Sequence, residues 1–143
     1  MLFIVSSLAI ASEKNIELIG GTAACKLAKD NLSGSFTFTG GEFQTAFQSE
    51  NVETKNSKKI KVEFEKPLSI PLVFEFKHSN VGKPNEVIGT VIFEKGTKTG
   101  FADIPEQCKK SIPYMHIIHM GYDDTLVPGE EVVVKIKGIS LSK

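Results

Sequence analysis

The segment Met115-His116-Ile117-Ile118-His119-Met120 gathers two of the chain's three histidines and two of its three methionines into six residues. Thioether and imidazole donors together form the set that selects copper, Cu(I) above all. Spacing decides whether one ion reaches them. On a helix Met115, His116, His119 and Met120 would line one side at separations of three and four. On a strand His116 and His119 would point to opposite faces, and Met115 and His119, although on one face, would stand roughly 13 Å apart. Two adjacent β-branched isoleucines between Pro113 and Gly121 favour the strand. A copper site would then need a ligand from elsewhere, and His116, Met120 and His78 form the candidate set. On a β-sandwich such side chains are more often packing residues with satisfied imidazoles than ligands.

Other chemistry is sparser. Asp123, Asp124, Glu130 and Glu131 flank the turn from Gly121 to Gly129, but without the alternating carboxylates of a dedicated calcium loop they read as a solvated turn. There is no Gly-x-Ser-x-Gly elbow, no His-Glu-x-x-His and no glycine-rich loop opening a helix, so no catalytic residue is assigned. The doublets Gly20-Gly21 and Gly40-Gly41 read as turns. A small secreted enzyme would require a cluster assembled only in space.

The two cysteines, Cys25 and Cys108, invite a single disulfide if the chain enters an oxidising compartment. By loop entropy that bridge would be worth about 4 kcal/mol. Export is expected from Met1 to Ala11, an apolar run closed by Ala9-Ile10-Ala11. It is too short to span a bilayer and matches a secretory leader in its apolar stretch and small-residue cleavage site, though not in a basic start. The expected organisation is therefore a signal peptide over 1–11 and one domain over 12–143, secreted, surface-held or periplasmic, with no membrane span in the mature chain. Seventeen basic and seventeen acidic residues cancel, which removes any global field for nucleic acid or anionic membrane. The dense basic group Lys55, Lys58, Lys59 and Lys61 reads as a solvated strand edge.

The elements that must position these groups are strands. Lys59 to Glu65 alternates Ile60, Val62 and Phe64 with charges, the period of a half-buried strand. Leu68 to Phe76 continues the alternation, with Pro71 demanding an edge, a bulge or a break. Ser35–Thr39, Glu86–Glu94, Tyr114–Met120 and Glu131–Lys137 follow the same rule, each bounded by Gly, Pro or Asn. Ala23 to Lys29 is compatible with a short helix, and Gln48–Lys58, Lys77–Pro84 and Lys95–Ser111 read as loops. Ten phenylalanines against two tyrosines and no tryptophan describe a core-filling set without a sugar-stacking platform.

Two resemblances follow. Leu126 to Ile136, with its Leu-x-Pro-Gly-Glu turn, resembles the loop and last strand of immunoglobulin-like extracellular domains. Met115 to Lys137 resembles, without a gap, the closing region of periplasmic copper chaperones of the PCuAC type: His-x-Met, a Met-Gly turn, a Leu-x-x-Gly-Asp/Glu loop and an alternating strand. That resemblance places His116 on the family's histidine ligand, and Met120-Gly121, Leu126 and Gly129-Glu130 on its scaffold. Ile118 stands where the second ligand belongs, and no methionine lies between Met1 and Cys108.

The expected protein is an all-β, antiparallel, immunoglobulin-like β-sandwich with one disulfide. Its expected role is non-catalytic recognition of a protein or glycan partner outside the cytoplasm, without a cofactor. The alternatives are a periplasmic copper-binding protein or chaperone on a cupredoxin-like sandwich, and a small enzyme.

Overall fold

A computed structural model of the chain describes residues 14–42, 44–78, 87–119 and 126–143. The leader residues 1–11 lie outside them, as do Met120, Asp123 and Asp124. Eleven strands appear in the described residues: β1 (Lys14–Asn15), β2 (Ile19–Gly20), β3 (Ala24–Leu27), β4 (Gly34–Thr39), β5 (Thr45–Glu53), β6 (Lys59–Phe64), β7 (Leu72–Lys77), β8 (Val87–Phe93), β9 (Thr99–Asp103), β10 (Ser111–His119) and β11 (Glu131–Ser142). One 3₁₀ turn, Glu106–Cys108, joins β9 to β10.

The strands form two antiparallel sheets. The first runs β3-β4-β11-β6-β9 with β1 added to β11, and the second runs β2-β5-β10-β7-β8. From β4 to β11 the chain crosses between sheets at every step except β7 to β8. The two four-strand cores, β4-β11-β6-β9 and β5-β10-β7-β8, are those of a jelly roll. The immunoglobulin-like expectation is corrected here, because that fold keeps several consecutive hairpins within one sheet. A dozen residues around a Pro-Gly turn describe one loop and one strand. They carry nothing about which sheet the next strand joins.

Burial follows the alternation of side chains. Phe36, Phe38, Ile60, Val62 and Phe64 descend from the first sheet to meet Phe47, Phe74, Phe76, Met115 and Ile117 from the second. Edge-on ring pairs tie the layers together: Phe36 meets Phe47 with centroids 4.8 Å apart, and Phe64 meets Phe93 at 6.5 Å. Pro71 falls just before β7, where its missing donor costs no ladder bond. Pro113 lies inside central β10, and Asn51, with φ 51°, falls opposite it in the register. The turn residue Gly129, with φ 85°, takes the conformation that its place after Pro128 predicts.

Three strands depart from the sequence reading. Ala24–Leu27 is extended rather than helical, paired to β4 from Ala24↔Thr37 to Leu27↔Gly34. β5 occupies much of the polar stretch read as a loop: Ser49 points inward with its hydroxyl donating to the Glu17 carbonyl at 2.9 Å, so a polar residue takes a core position. β9 inverts the usual pattern, with Phe101 outward and Gly100 inward, because the Phe93 ring occupies the space a Cβ at Gly100 would need.

The disulfide expectation is also corrected, since Cys25 and Cys108 are free thiols. A Cβ on Gly20 would fall 2.8 Å from Cys25 Sγ, and Gly20 registers with Phe47. The Cys108 carbonyl instead accepts the hydroxyl of Thr54. Phe47 and Thr54 are seven residues apart along one extended segment, roughly 23 Å at the usual rise, whereas a disulfide needs Cα atoms within about 7 Å.

Candidate functional site

The sequence-expected His116 lies on β10, the central strand of the second sheet, between Glu75 of β7 and Gln48 of β5. Met115 and Ile117 point into the core, so Tyr114, His116 and Ile118 share the opposite, outer face. The Nε2 of His116 donates to Glu75 Oε1 at 2.6 Å, and its Nδ1 faces the Thr45 hydroxyl at 3.4 Å. A neutral imidazole with its proton on Nε2 satisfies both partners.

Thr45 reaches this face through a bulge. His116 registers with Gln48 but Ile118 with Thr45, so Ile117 of β10 opposes both Ala46 and Phe47 of β5. Ala46 and Phe47 consequently both turn into the core, and Thr45 comes out beside His116. His116 is only 6 % exposed. Burial lowers its pKa below the ordinary histidine value and outweighs the opposing pull of the Glu75 carboxylate. Tyr114, also buried, packs its ring 5.5 Å from the imidazole, and burial raises its phenol pKa.

The copper candidates do not converge among the described residues. Both nitrogens of His116 are engaged by protein groups, and Met115 points through the sheet into the core. His78 is exposed three residues beyond Glu75, roughly 10 Å along the chain. Met120 lies outside the described residues. No group of three or more His, Cys, Asp or Glu side chains that could hold a metal occurs among the described residues. Cys108 is fully buried, and desolvation raises its thiol pKa, the opposite of what a reactive thiolate requires.

A second candidate surface, which the sequence reading did not single out, lies on the outer face of the first sheet. Three depressions, of about 180, 290 and 570 Å³, adjoin through residues that line two of them at a time: Lys135 the first and third, Val133 the first and second, and Lys26 and Ser35 the second and third. Sheet register builds it: Lys26 pairs with Ser35 and Ser35 with Lys135, while Ala24, Thr37 and Val133 form the neighbouring row. The segment Glu65–Pro67 forms one wall, held by the Glu65 amide donating to the Lys135 carbonyl at 2.9 Å. Its floor is Val133, 59 % exposed. The signal for this groove was the alternation in Glu131–Lys137, whose outward set Glu131, Val133, Lys135 and Lys137 mixes one aliphatic residue with one anion and two cations.

The fold has relatives among solved structures. Over 91 % of this chain and 94 % of the other, it superposes with a TM-score of 0.60 and 11 % identity on a low-affinity xylan-binding module from the gut symbiont Roseburia intestinalis. The cleaved adhesin domain of Lys-gingipain aligns over 94 % of this chain and 92 % of its own, with a TM-score of 0.45 and 11 % identity. No protein-family model and no curated protein sequence matches the chain. The first likeness defines the class of fold, a two-sheet β-sandwich. At that identity it defines nothing narrower. No helix among the described residues is long and apolar enough to cross a membrane.

Proposed function

We propose that this protein is a non-catalytic binding module that acts outside the cytoplasm and takes a glycan as its ligand. The observation that carries the reading is the end-to-end likeness of its fold to a xylan-binding module. A shallow groove of hydroxyl, lysine and aliphatic side chains on one open sheet face supports it. Such a surface holds an extended polymer by side-on contact and assembles no nucleophile with a base. The apolar segment Met1–Ala11 supports the extracellular address.

Affinity electrophoresis of the folded protein through gels containing soluble neutral and acidic polysaccharides tests this reading. Retardation by at least one polymer, without release of new reducing ends, is the expected result. Unchanged mobility in every gel would sink the glycan reading, and reducing-end release would replace a module with an enzyme.

A further inference from the structure

We infer that the groove on the first sheet binds a glycan bearing uronic acids, with a sugar carboxylate held between Lys26 and Lys135 across Ser35. This rests on the binding-module reading above and specifies its ligand class.

The register makes Lys26–Ser35–Lys135 a straight row across three strands. Two strand spacings separate the lysine backbones by roughly 10 Å, and their stems can lean over the intervening hydroxyl. Lys66 and Lys137 extend the cationic lining, against one carboxylate, Glu65. Among the described residues no salt bridge engages Lys26, Lys66 or Lys135, while Lys59, Lys61 and Lys109 all have acidic partners. The groove therefore presents a local excess of positive charge, with Glu65 in its lining and Glu63 acting on Lys137, in a chain whose total charge is zero. That is local complementarity to an anion.

The lining also separates a sugar from a peptide and a carboxylate from a sulfate. Protein-binding centres rely on Tyr, Trp and Arg, yet no aromatic residue lines these depressions and the chain has no arginine. A lysine is a compact point charge suited to one carboxylate at a time, whereas polyanions of high charge density favour the arginine fork. Val133 offers an aliphatic floor to the C–H face of a sugar ring, and Ser35 and Thr37 offer hydroxyls to its oxygens.

The test compares the protein with Lys26→Gln/Lys135→Gln, and with Lys109→Gln as a control outside the groove. Binding is measured to polygalacturonate, neutral xylan, dextran sulfate and poly-glutamate, after urea midpoints establish that each variant is folded. Polygalacturonate is expected to bind best and to weaken up to about fivefold per lysine removed, the scale of an exposed ion pair. Its binding should also fall as ionic strength rises from about 0.01 M to about 1 M, where the screening length shrinks from about 30 to about 3 Å. Lys109→Gln should match the unaltered protein.

Neutral xylan binding as well as polygalacturonate, with no effect of the double variant, overturns the inference and leaves the binding-module reading standing. Preference for dextran sulfate or poly-glutamate overturns it by pointing to bare charge or to a peptide. No binding to any polysaccharide removes both readings.

Discussion

The Nε2 of His116 lies 2.6 Å from Glu75 Oε1, and these two residues are direct cross-strand partners on β10 and β7. A buried neutral imidazole beside a carboxylate has a definite consequence for stability. Burial lowers the folded-state pKa of His116 from its model-peptide value of 6.5. The unfolded chain therefore binds the proton more readily, and stability must fall as acid is added. The contribution is complete above about pH 6.5 and is lost below it, towards the depressed folded value. Urea midpoints measured from about pH 7.5 to about pH 5 should decline, and His116→Gln should flatten that decline. An unchanged slope in the variant would assign the effect to other groups.

Phe36 and Phe47 join the two layers edge to face at 4.8 Å, and both are essentially inaccessible to solvent. Truncating either to alanine removes a ring from a packed interior. Phe36→Ala should cost about 3–5 kcal/mol, a substantial fraction of the about 5–15 kcal/mol that holds a domain of ordinary stability. Urea unfolding followed by circular dichroism measures it, and a loss under about 1 kcal/mol would contradict the packing.

Gly100 faces the Phe93 ring where a side chain would sit. Gly100→Ala should therefore destabilise by about 1–3 kcal/mol through overpacking, although alanine is ordinarily acceptable in a strand. Shrinking the ring in Gly100→Ala/Phe93→Leu should recover part of that loss in the same denaturation assay. Additive losses would mean that the two positions do not touch.

With both thiols free, reducing agent should leave the thermal midpoint unchanged, and gel mobility should be identical with and without it. Titration with a thiol reagent should label Cys25 first. Cys108 should react only as the protein unfolds, because its thiol is buried and its pKa raised. A mass two hydrogen atoms short of the reduced chain would restore the bridge.

The alternating strands were legible residue by residue. In Lys59–Phe64 and Glu131–Lys137 every second side chain is apolar, and the structure buries that half. β5 and β9 were not legible, for opposite reasons. Ser49 is a polar side chain buried because a carbonyl from another segment meets it, and Phe101 is an apolar one left outside because Phe93 fills the space beneath Gly100. His116 could be marked as a candidate by its type, but its partners could not be named. Glu75 is 41 residues away and Thr45 is 71, and a one-residue bulge brings Thr45 into place.

The sequence by itself determined that this chain builds β-sheets with a phenylalanine-rich interior, because side-chain alternation is a local property that burial of one face enforces. Only the tertiary structure decided that the sheets form a jelly roll, that Cys25 and Cys108 stand far apart, and that Lys26, Ser35 and Lys135 align across three strands. Those outcomes depend on which strands pair and in what register. Pairing is set by packing between segments distant in the chain, and no local pattern encodes it.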